Sequence, residues 1–214
     1  MKRLLLACLL PVSLAFAGEL ISVGVKGGVP FTDAFKTAST GQLQYVQHTQ
    51  RYTVGPTLDI NLPAGFGIEA DLLYRRLRYD SSGELSGLSR SSATTANAWD
   101  LPLLLKWRPW PTPLVKPYIS AGPTFRGLTN LKQRIQLFAS PSQSTTTTTN
   151  EPDELSRRFN TGFTLSAGLQ LGAAGVRLSP EVRYTRWGWR SFSEISGLLK
   201  SNSSQLDFLV GLTF

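Results

Sequence analysis

The chain has one cysteine, Cys8, and one histidine, His48. It has no apolar run long enough to cross a bilayer as a helix, which needs about 20 residues. The cysteine falls inside what reads as an export signal. Lys2 and Arg3 open it, a mostly apolar stretch broken by Pro11 and Ser13 covers residues 4–16, and Ala15-Phe16-Ala17 supplies the small-x-small cleavage pattern, with Gly18 as the new start. A lipoprotein reading, with Cys8 as the modified residue, leaves too short an apolar core ahead of that cysteine. Without residues 1–17 the chain has no disulfide, no thiol nucleophile and no thiolate metal site. An exported protein without disulfides needs another means of closure, and a complete ladder of backbone hydrogen bonds is one. The expected organisation is a signal peptide over residues 1–17 and one β domain over residues 18–214.

What is abundant is alternation with period two. Leu206, Phe208, Val210, Leu212 and Phe214 are large and apolar, and Gln205, Asp207, Leu209, Gly211 and Thr213 lie between them. One face of that last strand is apolar and the other largely polar. The chain ends on an aromatic residue, as suits the final strand of a closed barrel with an apolar outer face. Seven further stretches alternate in the same way: residues 21–29, 52–62, 66–75, 99–107, 118–126, 163–171 and 176–184. Pro123 makes the fifth the weakest. Tight turns are expected at Pro63-Ala64-Gly65, Pro111-Thr112-Pro113 and Ala173-Ala174-Gly175. Long polar loops are expected over residues 30–50, 80–97, 127–158 and 188–203. The Ser/Thr-rich part of the third, residues 140–150, has no apolar anchor and is expected to be unstructured.

Three short turns alternating with four long loops describe an eight-stranded up-and-down antiparallel barrel. Membrane barrels place short turns on the periplasmic side and long loops outside. A soluble barrel around a small apolar ligand has the same alternation with its apolar face turned inward. The tryptophans favour the membrane. Trp107 and Trp110 flank a short turn, Trp99, Trp187 and Trp189 lie beside long loops, and Phe214 ends the chain. Two such groups make the aromatic girdles of a transmembrane barrel.

The segments Ser22-Val23-Gly24-Val25-Lys26-Gly27-Gly28, Leu101-Pro102-Leu103-Leu104-Leu105-Lys106, Lys116-Pro117-Tyr118-Ile119-Ser120-Ala121-Gly122-Pro123 and Pro180-Glu181-Val182-Arg183-Tyr184 resemble the small PorT-like outer-membrane β-barrel proteins. The resemblance runs through the whole of residues 18–214 in order. It implies an eight-stranded all-β transmembrane barrel in the cell outer membrane, with no common ligand, catalytic residue or cofactor.

The alternation assigns charges to the lumen. Lys26, Arg75, Lys106, Arg126, Arg177 and Arg183 face inward with Asp59, Glu69, Asp71, Asp100, Glu181 and Asp207, a neutral set. A closed polar core demands this balance, because an unpaired buried charge is costly. Glu69 or Asp71 is expected to meet Lys106, and Glu181 or Arg183 to meet Asp207. The formal charge of +8 for the whole chain therefore comes from its loops, turns and ends. On the long-loop side Arg76, Arg78, Lys132, Arg134, Arg157, Arg158, Arg186 and Arg190 suit a phosphate-rich outer leaflet.

Sites for other chemistry are thin. His48 is the single imidazole available to a serine nucleophile, and Gly-x-Ser-x-Gly is absent. Glu151, Asp153 and Glu154 lack the spacing of a calcium loop. The expectation is a non-enzymatic barrel without cofactor or metal. Its expected partners are outer-membrane lipid, lipopolysaccharide phosphates at the basic rim, and the barrel-assembly machinery, met through the carboxy-terminal strand. No nucleic acid is expected, and the barrel is expected to be a monomer.

Overall fold

The computed structural model describes residues 20–37, 39–40, 43–47, 51–85, 88–110, 115–140, 143–150, 155–173, 175–189, 191–192 and 199–214. The signal-peptide reading, Cys8, His48, the Pro111-Thr112-Pro113 turn, the acids of residues 151–154 and Arg190 lie outside them.

Eight antiparallel strands close on themselves. They are β1 (Ile21–Pro30), β2 (Thr53–Asn61), β3 (Phe66–Asp71 continuing as Leu73–Leu85), β4 (Leu88–Trp107), β5 (Val115–Ser140), β6 (Phe159–Ala173), β7 (Val176–Trp187) and β8 (Ser204–Thr213). Each pairs with the next, and β8 returns to β1 from Gly24↔Thr213 to Pro30↔Asp207. Closure leaves no strand edge within the barrel wall, as hydrocarbon requires. Gly24 and Gly28 lie on this seam, where an added Cβ would collide with the carbonyl oxygens of Leu212 and Phe208. The interruption of β3 at Leu72 has a local cause. Leu72 donates its N–H to the carbonyl of Pro56 at 3.0 Å, and the proline ring has no hydrogen to return.

Exposure sets the polarity of the wall. Leu105 is 55% exposed, Ile119 53% and Leu165 51%, whereas their inward neighbours Leu104, Ser120 and Ser166 are 1%, 4% and 7% exposed. The outer surface is a continuous apolar belt and the interior is polar. A soluble barrel around an apolar ligand requires the opposite arrangement, so that alternative is set aside.

Strands β3, β4 and β5 rise well past the belt. The stretches read from sequence as the second loop and the start of the third are strand: β3 and β4 pair up to Leu85↔Leu88, and β4 and β5 up to Ser89↔Phe138. The expectation of an unstructured segment at residues 140–150 is likewise corrected. Gln143–Thr149 folds back antiparallel on β5, from Gln143↔Ser140 to Thr149↔Gln133. The β-branched threonines suit a pleated strand. Two small ladders complete this extension. Leu43–Gln47 pairs with β3 at Tyr79–Gly83, and Phe35–Thr37 pairs with Leu199–Ser201. A register shift between Thr95 and Asn97 accommodates Asn130, whose φ of 49° is a left-handed conformation that asparagine tolerates.

The extension has its own apolar interior. Leu77, Tyr79, Ala96, Ala98, Leu128 and Leu131 point inward from the strands, and Phe35, Tyr45 and Phe192 come in from the connections. Phe35, Tyr79 and Phe192 meet edge to face, with centroids 5.2–5.7 Å apart. This cluster covers the long-loop end of the lumen.

Candidate functional site

Below the apolar cluster the lumen is filled by ionised side chains, each placed by the inward half of a strand alternation. Lys26 on β1 reaches Glu69 at 2.5 Å, Glu181 at 3.1 Å and Asp71 at 3.3 Å. Arg183 on β7 reaches Glu181 at 2.7 Å, Glu69 at 2.8 Å and Asp71 at 2.9 Å. One lysine and one arginine thus share three carboxylates drawn from β3 and β7. Thr57 donates to Asp71 at 2.5 Å and Tyr118 to Glu181 at 3.0 Å. The Tyr118 ring lies across Gly168, where a Cβ would come within 2.6 Å of it. Only glycine allows that crossing.

Towards the short turns, Lys106 bridges Glu69 at 2.5 Å and Asp59 at 2.6 Å, and Arg108 grips Asp59 at 2.9 and 3.1 Å. Towards the extension, Arg126 takes Asp100 bidentately at 2.6 and 2.7 Å and donates to Gln205 at 2.8 Å. Arg75 reaches Asp207 at 3.3 Å. All of these ionic groups are 9% exposed or less. The gap left among Arg75, Asp100, Thr124, Arg183, Trp187, Gln205 and Asp207 is the size of a water. Hydroxyl pairs such as Ser120–Ser166 at 2.6 Å and Thr124–Thr164 at 2.5 Å fill the space between strands.

The structure brings together eleven of the twelve charges assigned to the lumen from sequence, and three of the sequence readings change. Arg177 is only half-buried; it lies near the short-turn end, bonded to Ser22, away from the central network. Arg108, one residue past the end of β4 and not assigned to the lumen from sequence, is 5% exposed and occupies it. The alternation of Leu104 and Lys106 continues to it, which was the available signal. The expected contacts of Glu181 or Arg183 with Asp207 do not form. Arg183 and Asp207 are opposite in register, yet the guanidinium extends across the lumen to Glu69 and Asp71. Lys106 does meet Glu69.

The aromatic girdle also needs one correction. Trp99, Trp107, Trp110, Trp189 and Phe214 are exposed, at 38–70%. Trp187 is 3% exposed and faces the lumen, under the Arg126 guanidinium at 4.0 Å, with its indole N–H donated to Gln205 at 3.2 Å. It stands two residues beyond Thr185 on the inward face, and its polar handle finds a partner there. Among the described residues no cluster of His, Cys, Asp and Glu has the arrangement of a metal site.

The network fills the lumen. Its charges balance, they cross the barrel from wall to wall, and the apolar cluster lies above them. Comparison with known proteins supplies the setting. Residues 16–192 match the model of the outer membrane protein beta-barrel domain.

The chain belongs to this family.

It is therefore an outer-membrane β-barrel protein, and its apolar belt faces lipid. No curated protein sequence matches it. Among solved structures, the outer membrane protein OprG from Pseudomonas aeruginosa superposes with a TM-score of 0.57 at 13% identity, over 91% of this chain and 93% of that one. That likeness shows the shared fold. Ail, the attachment invasion locus protein of Yersinia pestis, matches with a TM-score of 0.38 at 12% identity, over 90% of this chain and 98% of that one. Neisserial surface protein A matches with a TM-score of 0.37 at 9% identity, over 90% and 94%. Scores that low carry no further argument.

Proposed function

We propose that this outer-membrane barrel is a sealed, non-enzymatic envelope protein whose work is done by the extension and connections at its long-loop end. The observation that carries the reading is the lumen. Lys26, Arg183, Glu69, Asp71 and Glu181 span it as one ion cluster, and Phe35, Tyr79 and Phe192 close the space above. An eight-stranded barrel is only wide enough for its own side chains, and here they fill it. The large feature left for contact with other molecules is the surface formed by β3, β4, β5 and the Gln143–Thr149 strand. A structural or surface-interaction role fits that division. The barrel acts as a monomer, and its β8 strand is the element the assembly machinery would engage. The PorT-like resemblance of its strand motifs adds no ligand to this reading.

Purified, folded protein inserted in planar bilayers is expected to show no steady ion conductance at moderate voltage. Reproducible open channels would overturn the sealed lumen and move the function to transport.

A further inference from the structure

The extension bears a row of cations on its outward face. Arg78 on β3 stands opposite Thr95 on β4, and Thr95 stands opposite Lys132 on β5. One step lower, Arg76 is opposite Asn97 and Asn97 is opposite Thr129; one step higher, Asp80 and Arg134 flank Ala93. All these side chains point away from the interior, because Leu77, Tyr79, Thr94, Ala96, Leu131 and Gln133 take the inward positions between them. Arg76, Arg78, Lys132 and Arg134 are exposed, and Asp80, half-buried, stands among them. Asp80 holds Arg78 at 3.4 Å, an exposed contact of little strength.

Two lipid-facing aromatics give the level of this row. The Trp99 indole N–H donates to Thr129 at 3.2 Å, and the Tyr74 hydroxyl donates to Asn97 at 3.1 Å. Both aromatic side chains sit on the lipid-facing wall with their polar ends turned towards the extension, as interfacial aromatics do. Arg76 and Arg78 are two and four residues past Tyr74. At about 3.4 Å per residue and a strand tilt near 40°, they stand roughly 5 and 10 Å above it. The interfacial layer is about 5–7 Å thick on each side of the hydrocarbon. The row therefore lies in and just above the headgroup layer. Arg78 and Lys132 are two strands apart, about 10 Å, with the Thr95 hydroxyl between them.

Three other rim arginines differ. Arg186 donates to Ser204 at 2.7 Å, Arg157 stacks over Trp189 at 4.7 Å, and Arg158 donates to the Asn150 carbonyl at 3.4 Å. Among the described residues, the side chains of Arg76, Lys132 and Arg134 have no such hydrogen bond or ion pair within the chain.

We propose that Arg76, Arg78, Lys132 and Arg134, with Thr95 between them, bind the phosphate of a phosphorylated lipid headgroup in the outer leaflet, on the β3–β5 side of the barrel. The site rests on the surface-contact reading of the extension and gives that reading a ligand. Guanidinium groups take phosphate oxygens bidentately, and lysine adds a point charge. Held there, the lipid would anchor one side of the barrel to the leaflet.

The test folds the parent protein into phosphatidylcholine nanodiscs doped with bisphosphorylated lipid A, or with the same lipid stripped of its phosphates. Retained lipid is then counted by native mass spectrometry after transfer to detergent. The parent is expected to retain the phosphorylated lipid at least ten-fold more than the stripped one, with retention falling as salt rises. The triple variant Arg76→Gln, Lys132→Gln, Arg134→Gln is expected to lose that preference while keeping the parent's shift between folded and boiled forms on a gel. The double variant Arg76→Gln, Lys132→Gln serves if the triple fails to fold. Equal retention of both lipids by the parent, or an unchanged preference in a folded variant, overturns the proposal. Displacement of the lipid by an equal concentration of inorganic pyrophosphate would assign the site to a dissolved anion and overturn the lipid assignment. Failure of the parent to fold into the discs would instead contradict the membrane placement itself, a distinct outcome.

Discussion

Replacing Glu69 by alanine is expected to lower the stability of the folded barrel by about 3–5 kcal/mol. Glu69 is 2% exposed and contacts three cations, Lys26, Lys106 and Arg183. Each keeps another acid, Lys26 and Arg183 sharing Asp71 and Glu181 and Lys106 holding Asp59, but the cluster as a whole gains an uncompensated positive charge. Glu69 is not among the residues lining the water-sized gap, and burial without a partner is costly. Arg186→Ala, at an exposed rim position bonded to Ser204, is expected to change stability by less than about 1 kcal/mol. Urea titration in lipid vesicles, followed by tryptophan fluorescence, compares the two. Equal midpoints would mean that the lumen is hydrated enough to screen its charges, and the filled lumen would fail as an account of closure.

The second large effect is on the outside. Leu103→Arg and Leu165→Arg, each at a mid-strand position on the lipid-facing wall, are expected to cost about 2–4 kcal/mol apiece near the bilayer midplane. Leu103 pairs with Ala70 on β3, and Leu165 lies between Ala121 and Tyr184, far from the polar ends of the wall. Ser91→Arg, exposed on the extension, is expected to stay within about 0.5 kcal/mol of the parent. The fraction folded into vesicles over a urea series gives all three values. Wild-type behaviour of both leucine variants would put those side chains somewhere other than in lipid.

The barrel itself was legible in the sequence because lipid enforces alternation. On β4 and β6 every outward position in the wall is apolar, and the inward positions carry charge or hydroxyls often enough to read: Leu101, Leu103 and Leu105 stand against Asp100, Pro102, Leu104 and Lys106. Above the girdle that contrast first inverts, with Leu77, Tyr79, Ala96 and Ala98 inward, and then fades. Arg76, Arg78 and Thr95 face outward into a polar layer, and Ser81, Ser92 and Thr94 face inward as well. With the polar face turned outward low on the extension and both faces polar nearer its tip, Leu73–Leu85 and the first half of Leu88–Trp107 look like loops, although the backbone pairs throughout. The threonine run misled for the same reason. It has no buried side to announce a strand, and its pairing with β5 is a matter of backbone and β-branching.

Within the lumen, strand positions identified which charges face inward but not which would meet. Arg183 passes over its register neighbour Asp207 for acids on β3, a choice set by side-chain length across a narrow barrel. Trp187 was misplaced because position along the chain gives the height of a residue and not, at a strand end, its face. The apolar cluster of Phe35, Tyr45 and Phe192 had no periodic signal at all, since these residues come from connections that converge only in the fold.

The claim on which the rest depends is that charge lies inside the wall and lipid outside it. Tryptophan quenching by brominated phosphatidylcholine tests this most directly. Variants that retain a single tryptophan at position 99, 107 or 187, with phenylalanine at the others, are folded into vesicles of brominated and unbrominated lipid. Trp99 and Trp107, exposed on the outer wall, are expected to be strongly quenched, and Trp187, enclosed against Arg126, is expected to keep most of its emission. Quenching of Trp187 as strong as that of Trp107, or no quenching of Trp99 and Trp107, would contradict the inside-outside assignment.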